Sequence, residues 1–206
     1  PLMKPIYPIM PQATTDWDFN DANWVLDTGV FVSAPSSWRV TVDFNTTYGL
    51  CKYAGTTNQP QGRLISWIRN GSDVSPIYVY CRNQAAVGTA TTTNTYYFDI
   101  PRRVFGATIW RVVKNIAGAP TVLSSGAAYL TGDFVQWAWT RVRFTWWRSA
   151  AVLVLRAERY IAPAWSKLFN DVVDAAPSFE GTGISRIGIG DYSIAINWDD
   201  TEIWGP

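Results

Sequence analysis

The chain has 206 residues, a net charge of +1 and 16 % charged residues, against 15 % aromatics that include 12 Trp. That composition excludes disorder, and the near-neutral balance excludes bulk attraction to nucleic acid or a membrane surface. The sequence contains no His, which removes Ser–His–Asp and Cys–His nucleophile chemistry and the commonest zinc ligand.

The expected organisation is a Pro-rich N-terminal arm over residues 1–15 and a single β-sandwich domain over 16–206. The arm, PLMKPIYPIMPQ, carries Pro1, Pro5, Pro8 and Pro11. Pro lacks the donor a sheet ladder needs, so this reads as an extended segment rather than a central strand. Its apolar residues, among them Leu2, Met3, Ile6 and Tyr7, must pack on something, either the same domain or a neighbour.

Strand-like runs follow. In SWRVTVDF, Trp38, Val40, Val42 and Phe44 alternate with Arg39, Thr41 and Asp43. LISWI, IYVYCR, TYYFDI and ATIWRVVK are β-branched or aromatic runs bounded by Gly, Pro, Asn or Ser. Cys51 in YGLCKY and Cys81 in YVYCRN both fall in such runs; a disulfide and two buried thiols stay open. Asn45-Thr46-Thr47 and Asn70-Gly71-Ser72 fit the short N-glycosylation pattern.

The clearest hairpin is WAWTRVRFTWW, a turn near Arg148-Ser149, then AVLVLRAERY. Thr140, Val142, Phe144 and Trp146 share one face. Trp139, Arg141, Arg143, Thr145 and Trp147 share the other, which is either a cation–π ladder and contact surface or Arg stems covering rings on a solvated sheet. Pro163 to Asp174 has apolar spacing that fits one short helix, and equally a strand and loop. Many short strands with at most one short helix predict an all-β jelly-roll sandwich of two antiparallel sheets. No apolar run reaches the ~18 residues of a membrane span. No signal-peptide pattern is visible, and removal of a leader stays open.

The C-terminal order W-x-R-V-R-F, V-L-V-L-R-A, P-A-W, G-x-x-R-I-G-I-G and W-D-D-x-x-I-W, about Gln136 to Trp204, resembles the concanavalin A-like lectin/glucanase superfamily, particularly its laminin-G-like jelly rolls. D-F-N-D-A-N-W, Asp18 to Trp24, is similar to the opening of such domains. The resemblance implies two curved antiparallel sheets and rim loops that often bind carbohydrate. Several jelly rolls of this superfamily bind calcium between the opening and closing strands, which makes a structural calcium an option here, where Asp16, Asp18 and Asp21 could meet Asp199 or Asp200. No cofactor is otherwise required. The glucanase branch places its carboxylates as Glu-x-Asp-x-Glu on one strand, and none of Glu158, Glu180 and Glu202 begins that pattern. Asp200 and Glu202 are two apart, but beside Trp198 and Trp204 on the terminal strand, so a glycoside hydrolase or polysaccharide lyase is disfavoured.

Ile194, Ile196 and Trp198 set one parity and Ile203 the other, so the alternation slips near Asp199 to Glu202. That predicts a bulge whose Asp accepts backbone N–H bonds or an Arg fork. The leading functional expectation is a non-catalytic assembly module of a virion, fibre or cell-surface layer, contacting other protein subunits through the arm and the aromatic sheet face. The alternative is a carbohydrate-binding, lectin-like module. In either case the binding platform is expected among Trp67, Tyr78, Tyr80, Trp110, Trp139, Arg141, Arg143 and Trp147. Both readings imply an extracellular, virion or cell-surface setting.

Overall fold

The computed structural model describes residues 3–7, 19–20, 24–41, 48–53, 61–71, 76–84, 94–104, 107–127, 137–179, 186–191 and 196–205. All regular structure among them is strand. The N-terminal half contributes β1 (Lys4–Tyr7), β2 (Phe19–Asn20), β3 (Trp24–Asp27), β4 (Ser37–Val40), β5 (Tyr48–Tyr53), β6 (Gly62–Asn70), β7 (Ile77–Asn83) and β8 (Thr95–Val104). There follow β9 (Ala107–Ile116), β10 (Ala119–Gly126), β11 (Trp139–Ser149), β12 (Val152–Ile161), β13 (Ala164–Lys167) and β14 (Val172–Asp174), then β15 (Arg186–Asp191) and β16 (Ile196–Gly205).

Two antiparallel sheets stack as a sandwich. The first runs β13-β12-β11-β6-β16-β4-β3, with β14 on β12 and β1 on β16; the second runs β10-β9-β8-β7-β15-β5-β2. Period-2 alternation sends Leu64, Ile68, Val142, Phe144, Trp146 and Trp198 of the first sheet inward, against Val79, Phe98, Val112 and Ile189 of the second. The Phe98 and Phe144 rings meet across the layers with centroids 5.0 Å apart. Each such side chain contributes about 1.5–3 kcal/mol on burial.

The terminal strand is internal to the first sheet, with β6 on one flank and β4 and β1 on the other. Asp199 pairs with Trp67 and Glu202 with Ile65, so three steps along β16 match two along β6. This is the expected bulge, and Asp200 adopts φ 46° within it. β1 pairs antiparallel with the end of the same strand, Lys4 opposite Gly205 and Pro5 opposite Trp204. This part of the Pro-rich arm thus packs on its own chain, as an edge strand, where a missing N–H is tolerated.

Two points left open by the sequence are decided, and one expectation, the turn position, is corrected. Pro163 to Asp174 forms strands β13 and β14 and no helix. Pairing with β12 satisfies its backbone, while Leu168, Phe169 and Val172 enter the core and Trp165 and Lys167 point outward. A lone helix of this length is marginal without packing of its own, so the sheet wins. The hairpin turn lies at Ala150-Ala151, since Ser149 pairs with Val152, two residues beyond the expected Arg148-Ser149. Cys81 is a free buried thiol. Cys51 lies on β5 and Cys81 on β7, and β15 separates these strands. Two strand spacings of ~4.8 Å exceed the reach of a disulfide. Burial pushes the Cys81 thiol up to about 12. Of the two glycosylation patterns, Asn70 is buried, 4 % exposed at the end of β6, and is no acceptor in the folded chain; Asn45 lies outside the described residues.

Candidate functional site

The face of the first sheet turned away from the core gathers much of the predicted platform. Register places its residues in rows across the strands. One row runs Trp204, Arg63, Thr145, Arg156 from β16 through β6 and β11 to β12. The next runs Glu202, Ile65, Arg143, Glu158, Lys167, reaching β13. A third brings Asp199, Trp67 and Arg141 together.

Arg and Trp residues interlock along these rows. The Arg143 guanidinium forks onto Glu158, with Nε to Oε2 at 2.7 Å and Nη2 to Oε1 at 2.8 Å, and lies 4.4 Å from the centre of the Trp165 ring. Arg156 forks onto Asp171 at 2.9 and 2.7 Å and lies 4.9 Å from the Trp147 ring. Arg141 donates to Glu202 at 3.0 Å. The Arg groups thus cover Trp165 and Trp147 across neighbouring strands rather than along β11. These bidentate pairs fix side chains that would otherwise be free to rotate. The hydrogen bond from Arg156 holds the Asp171 carboxyl below the usual carboxylate range, against its burial, with Lys167 adding to it.

Between these pairs opens a pocket of about 260 Å³. Arg63, Arg143 and Arg156 line it, together with Glu158, Thr145 and Trp147. Burial and the neighbouring Arg143 hold the Arg63 guanidinium below the usual arginine range, and Glu158 opposes this only partly.

Of the predicted platform residues, Trp67, Trp139, Arg141, Arg143 and Trp147 lie half-buried on this outer face. Trp110, Tyr78 and Tyr80 do not belong with them. Trp110 is in the core, stacked on Phe169 at 3.9 Å. Tyr78 and Tyr80 lie on the second sheet and pack with Tyr97 and Val113. Tyr80 is fully buried, lying so close over Gly190 that a Cβ there would come within 2.6 Å of its hydroxyl. None of these three offers an open ring. The sequence reading missed Arg63, Arg156, Glu158 and Trp165. The alternation of Arg63, Ile65, Trp67 and Arg69 within GRLISWIRN was a signal for the first of them.

The acid doublet closes the fold. Asp199 Oδ2 accepts the N–H groups of Val32 at 2.6 Å and Ser33 at 3.0 Å, and Oδ1 accepts that of Asp200 at 2.8 Å. Asp200 accepts the Ser33 hydroxyl at 2.8 Å. Asp200 and Glu202 therefore serve different partners, Ser33 and Arg141, and form no acid pair. Asp199 faces three N–H hydrogens, the reverse of what a cation ligand needs, so it does not fit a calcium ion. Among the described residues no group of three or more acidic side chains comes together as a metal site. Asp16, Asp18 and Asp21 lie outside the described residues.

The sequence matches no family model and no curated protein. Solved structures do match over nearly the whole chain. The exoplasmic/lumenal domain of VIP36 in a Ca2+/Man-bound form has a TM-score of 0.54 at 13 % identity, over 88 % of this chain and 82 % of that one. The fold is the concanavalin A-like jelly roll. The carbohydrate recognition domain of Emp46p, in metal-free form, gives 0.54 at 11 % identity over 88 % of both chains. The CBM2 module of the evolved Dit of Lactobacillus casei BL23 phage J-1 gives 0.58 at 9 %, over 98 % of this chain and 95 % of that one. Emp46p is also known in a potassium-bound form.

Proposed function

We propose that the chain is a non-catalytic carbohydrate-binding module that uses the outer face of its first sheet. The observation that carries this reading is the pocket bordered by Trp147, Arg143 and Glu158. A sugar presents an apolar C–H face and a rim of hydroxyls. An indole takes the first, and a rigid Arg–carboxylate fork donates to and accepts from the second. Sharing a fold with carbohydrate recognition domains supports the reading without assigning a sugar. Trp67, Trp139 and Arg141 extend the platform along the neighbouring rows.

The assembly reading loses one of its motives, because β1 hydrogen-bonds to β16 of its own chain and is engaged there. A structural calcium would have to be built on Asp16, Asp18 and Asp21 with Asp200 in place of Asp199. A carbohydrate-binding module of this kind works in an extracellular, lumenal or virion-surface setting. The test is a glycan array on the full chain, followed by Trp147→Ala and Trp165→Ala. The expected result is a defined set of bound glycans and a loss of about tenfold in affinity for each variant, equivalent to about 1.4 kcal/mol. An array without hits removes the reading.

A further inference from the structure

The charges around the pocket do not balance. Arg143 is matched by Glu158, and Arg156 by Asp171. Arg63 lies within ion-pair distance of no carboxylate of the described residues, although it stands in the same row as Arg156, on the opposite side of Thr145. Polar atoms are also left without partners here. Arg63 Nε, Thr145 Oγ1 and Gln61 Nε2 are all buried with no hydrogen-bond partner, and all three residues line this one pocket. Thr145 is 6 % exposed. A buried donor left unmade is costly, so three converging on one cavity mark a place where an acceptor belongs.

We propose that the pocket seats the anionic group of an acidic glycan, a carboxylate or a sulfate ester, between Arg63 and Arg156 and over Thr145. This rests on the carbohydrate-binding reading and narrows its ligand class. An oxyanion offers several lone pairs, enough for Arg63 Nε–H, the Thr145 hydroxyl and the Gln61 amide together. It also supplies the charge that Arg63 lacks, while Trp147 at the border takes the attached ring. A neutral hydroxyl offers fewer acceptor sites and no charge. Carboxylate and sulfate share this chemistry and differ in geometry, which the probes separate.

The experiment measures binding of polygalacturonate, dextran sulfate and uncharged dextran to the full chain by calorimetry at about 0.15 M salt, where long-range attraction is screened. The variants are Arg63→Gln and Thr145→Val, with Arg39→Gln as a charge control, since Arg39 pairs with Asp27 on β3 and β4. At least one acidic polymer is expected to bind tenfold or more tighter than dextran. Arg63→Gln and Thr145→Val each erase that preference, and Arg39→Gln keeps it. Preference for polygalacturonate identifies a carboxylate, and preference for dextran sulfate a sulfate ester. If Arg63→Gln does not fold, Thr145→Val, which removes one hydroxyl at nearly constant volume, decides alone. Equal binding of acidic and neutral glycans, or an acidic preference that survives both variants, overturns the inference and leaves the carbohydrate reading standing. An empty glycan array together with no binding of any of the three polymers overturns both.

Discussion

At Asp199 one side chain holds together segments 166 and 167 residues apart in sequence, through Ser33 and Val32. The position is costly for a charge. Burial pushes the carboxyl above the usual range, and the N–H bonds from Ser33, Val32 and Asp200 offset that only in part. Its value lies in satisfying donors that would otherwise be stranded in the loop before β4. Asp199→Ala is therefore expected to destabilise the chain by about 2–4 kcal/mol, and Asp199→Asn by about half that, because the amide keeps one acceptor oxygen. The urea midpoint at neutral pH reads both; a loss within 0.5 kcal/mol for alanine, the range of an ordinary surface change, would contradict the closing role. The slip in alternation between Trp198 and Ile203 made the bulge legible in sequence. The loop partners were not legible, because nothing in VFVSAPSS signals which distant acid it meets.

Among the elements, the β11–β12 hairpin shows how far alternation reaches. It assigned Val142, Phe144 and Trp146 to the core and Arg141, Arg143 and Trp147 to the outer face correctly. It did not locate the turn. Ala150 occupies the left-handed region at φ 54°, where a Cβ is disfavoured, and no Gly or Asn marks the spot. Ala150→Gly is expected to stabilise the chain by about 0.5–1 kcal/mol, relieving the Cβ strain at some cost in unfolded-state entropy. A thermal midpoint that rises by about 2 °C fits a chain of this size, and a fall would show that the turn is not under strain. The choice between helix and strand over Pro163 to Asp174 stayed open in sequence for a related reason. Trp165, Leu168, Phe169 and Val172 satisfy a helical stripe equally well as a strand, a loop and a second strand, and only the partner β12 decides between them. The pocket was legible by halves on the same account. Arg143 and Trp147 lie on one strand and share a parity, whereas Arg63 and Arg156 reach them from β6 and β12 through register that no local pattern fixes.

At the scale of the whole molecule, the acidic side chains of the described residues mainly bind loops and strands, and this shapes the response to pH. In the ladder, Asp171 is held low by Arg156 and then Lys167. Asp174 is pushed up by burial but pulled further down by hydrogen bonds from the Tyr96 hydroxyl and Lys114, at 2.7 and 3.0 Å. Asp27 is likewise raised by burial and lowered by more through Gly29, Asn197 and Arg39. A carboxyl whose folded value is depressed contributes stability in full above its unfolded value, 3.8, and loses it as pH falls through the lower folded value. Asp199 has the opposite sign: its raised value favours the folded state only once it is protonated, so it gains as the others lose. Among the described residues, three depressed groups stand against one raised group, which predicts that unfolding free energy falls as pH drops below 3.8. Urea midpoints taken at intervals from neutral pH downward trace the curve. Asp171→Asn is expected to flatten its acid limb while lowering stability at neutral pH, because the neutral side chain keeps the shape and loses the fork to Arg156. Asp199→Asn is expected to steepen the same limb, since it removes a group that gains on protonation. Equal limbs in the two variants would mean that the ladder and the closing loop do not carry the acid response, and that it belongs to carboxylates elsewhere in the chain.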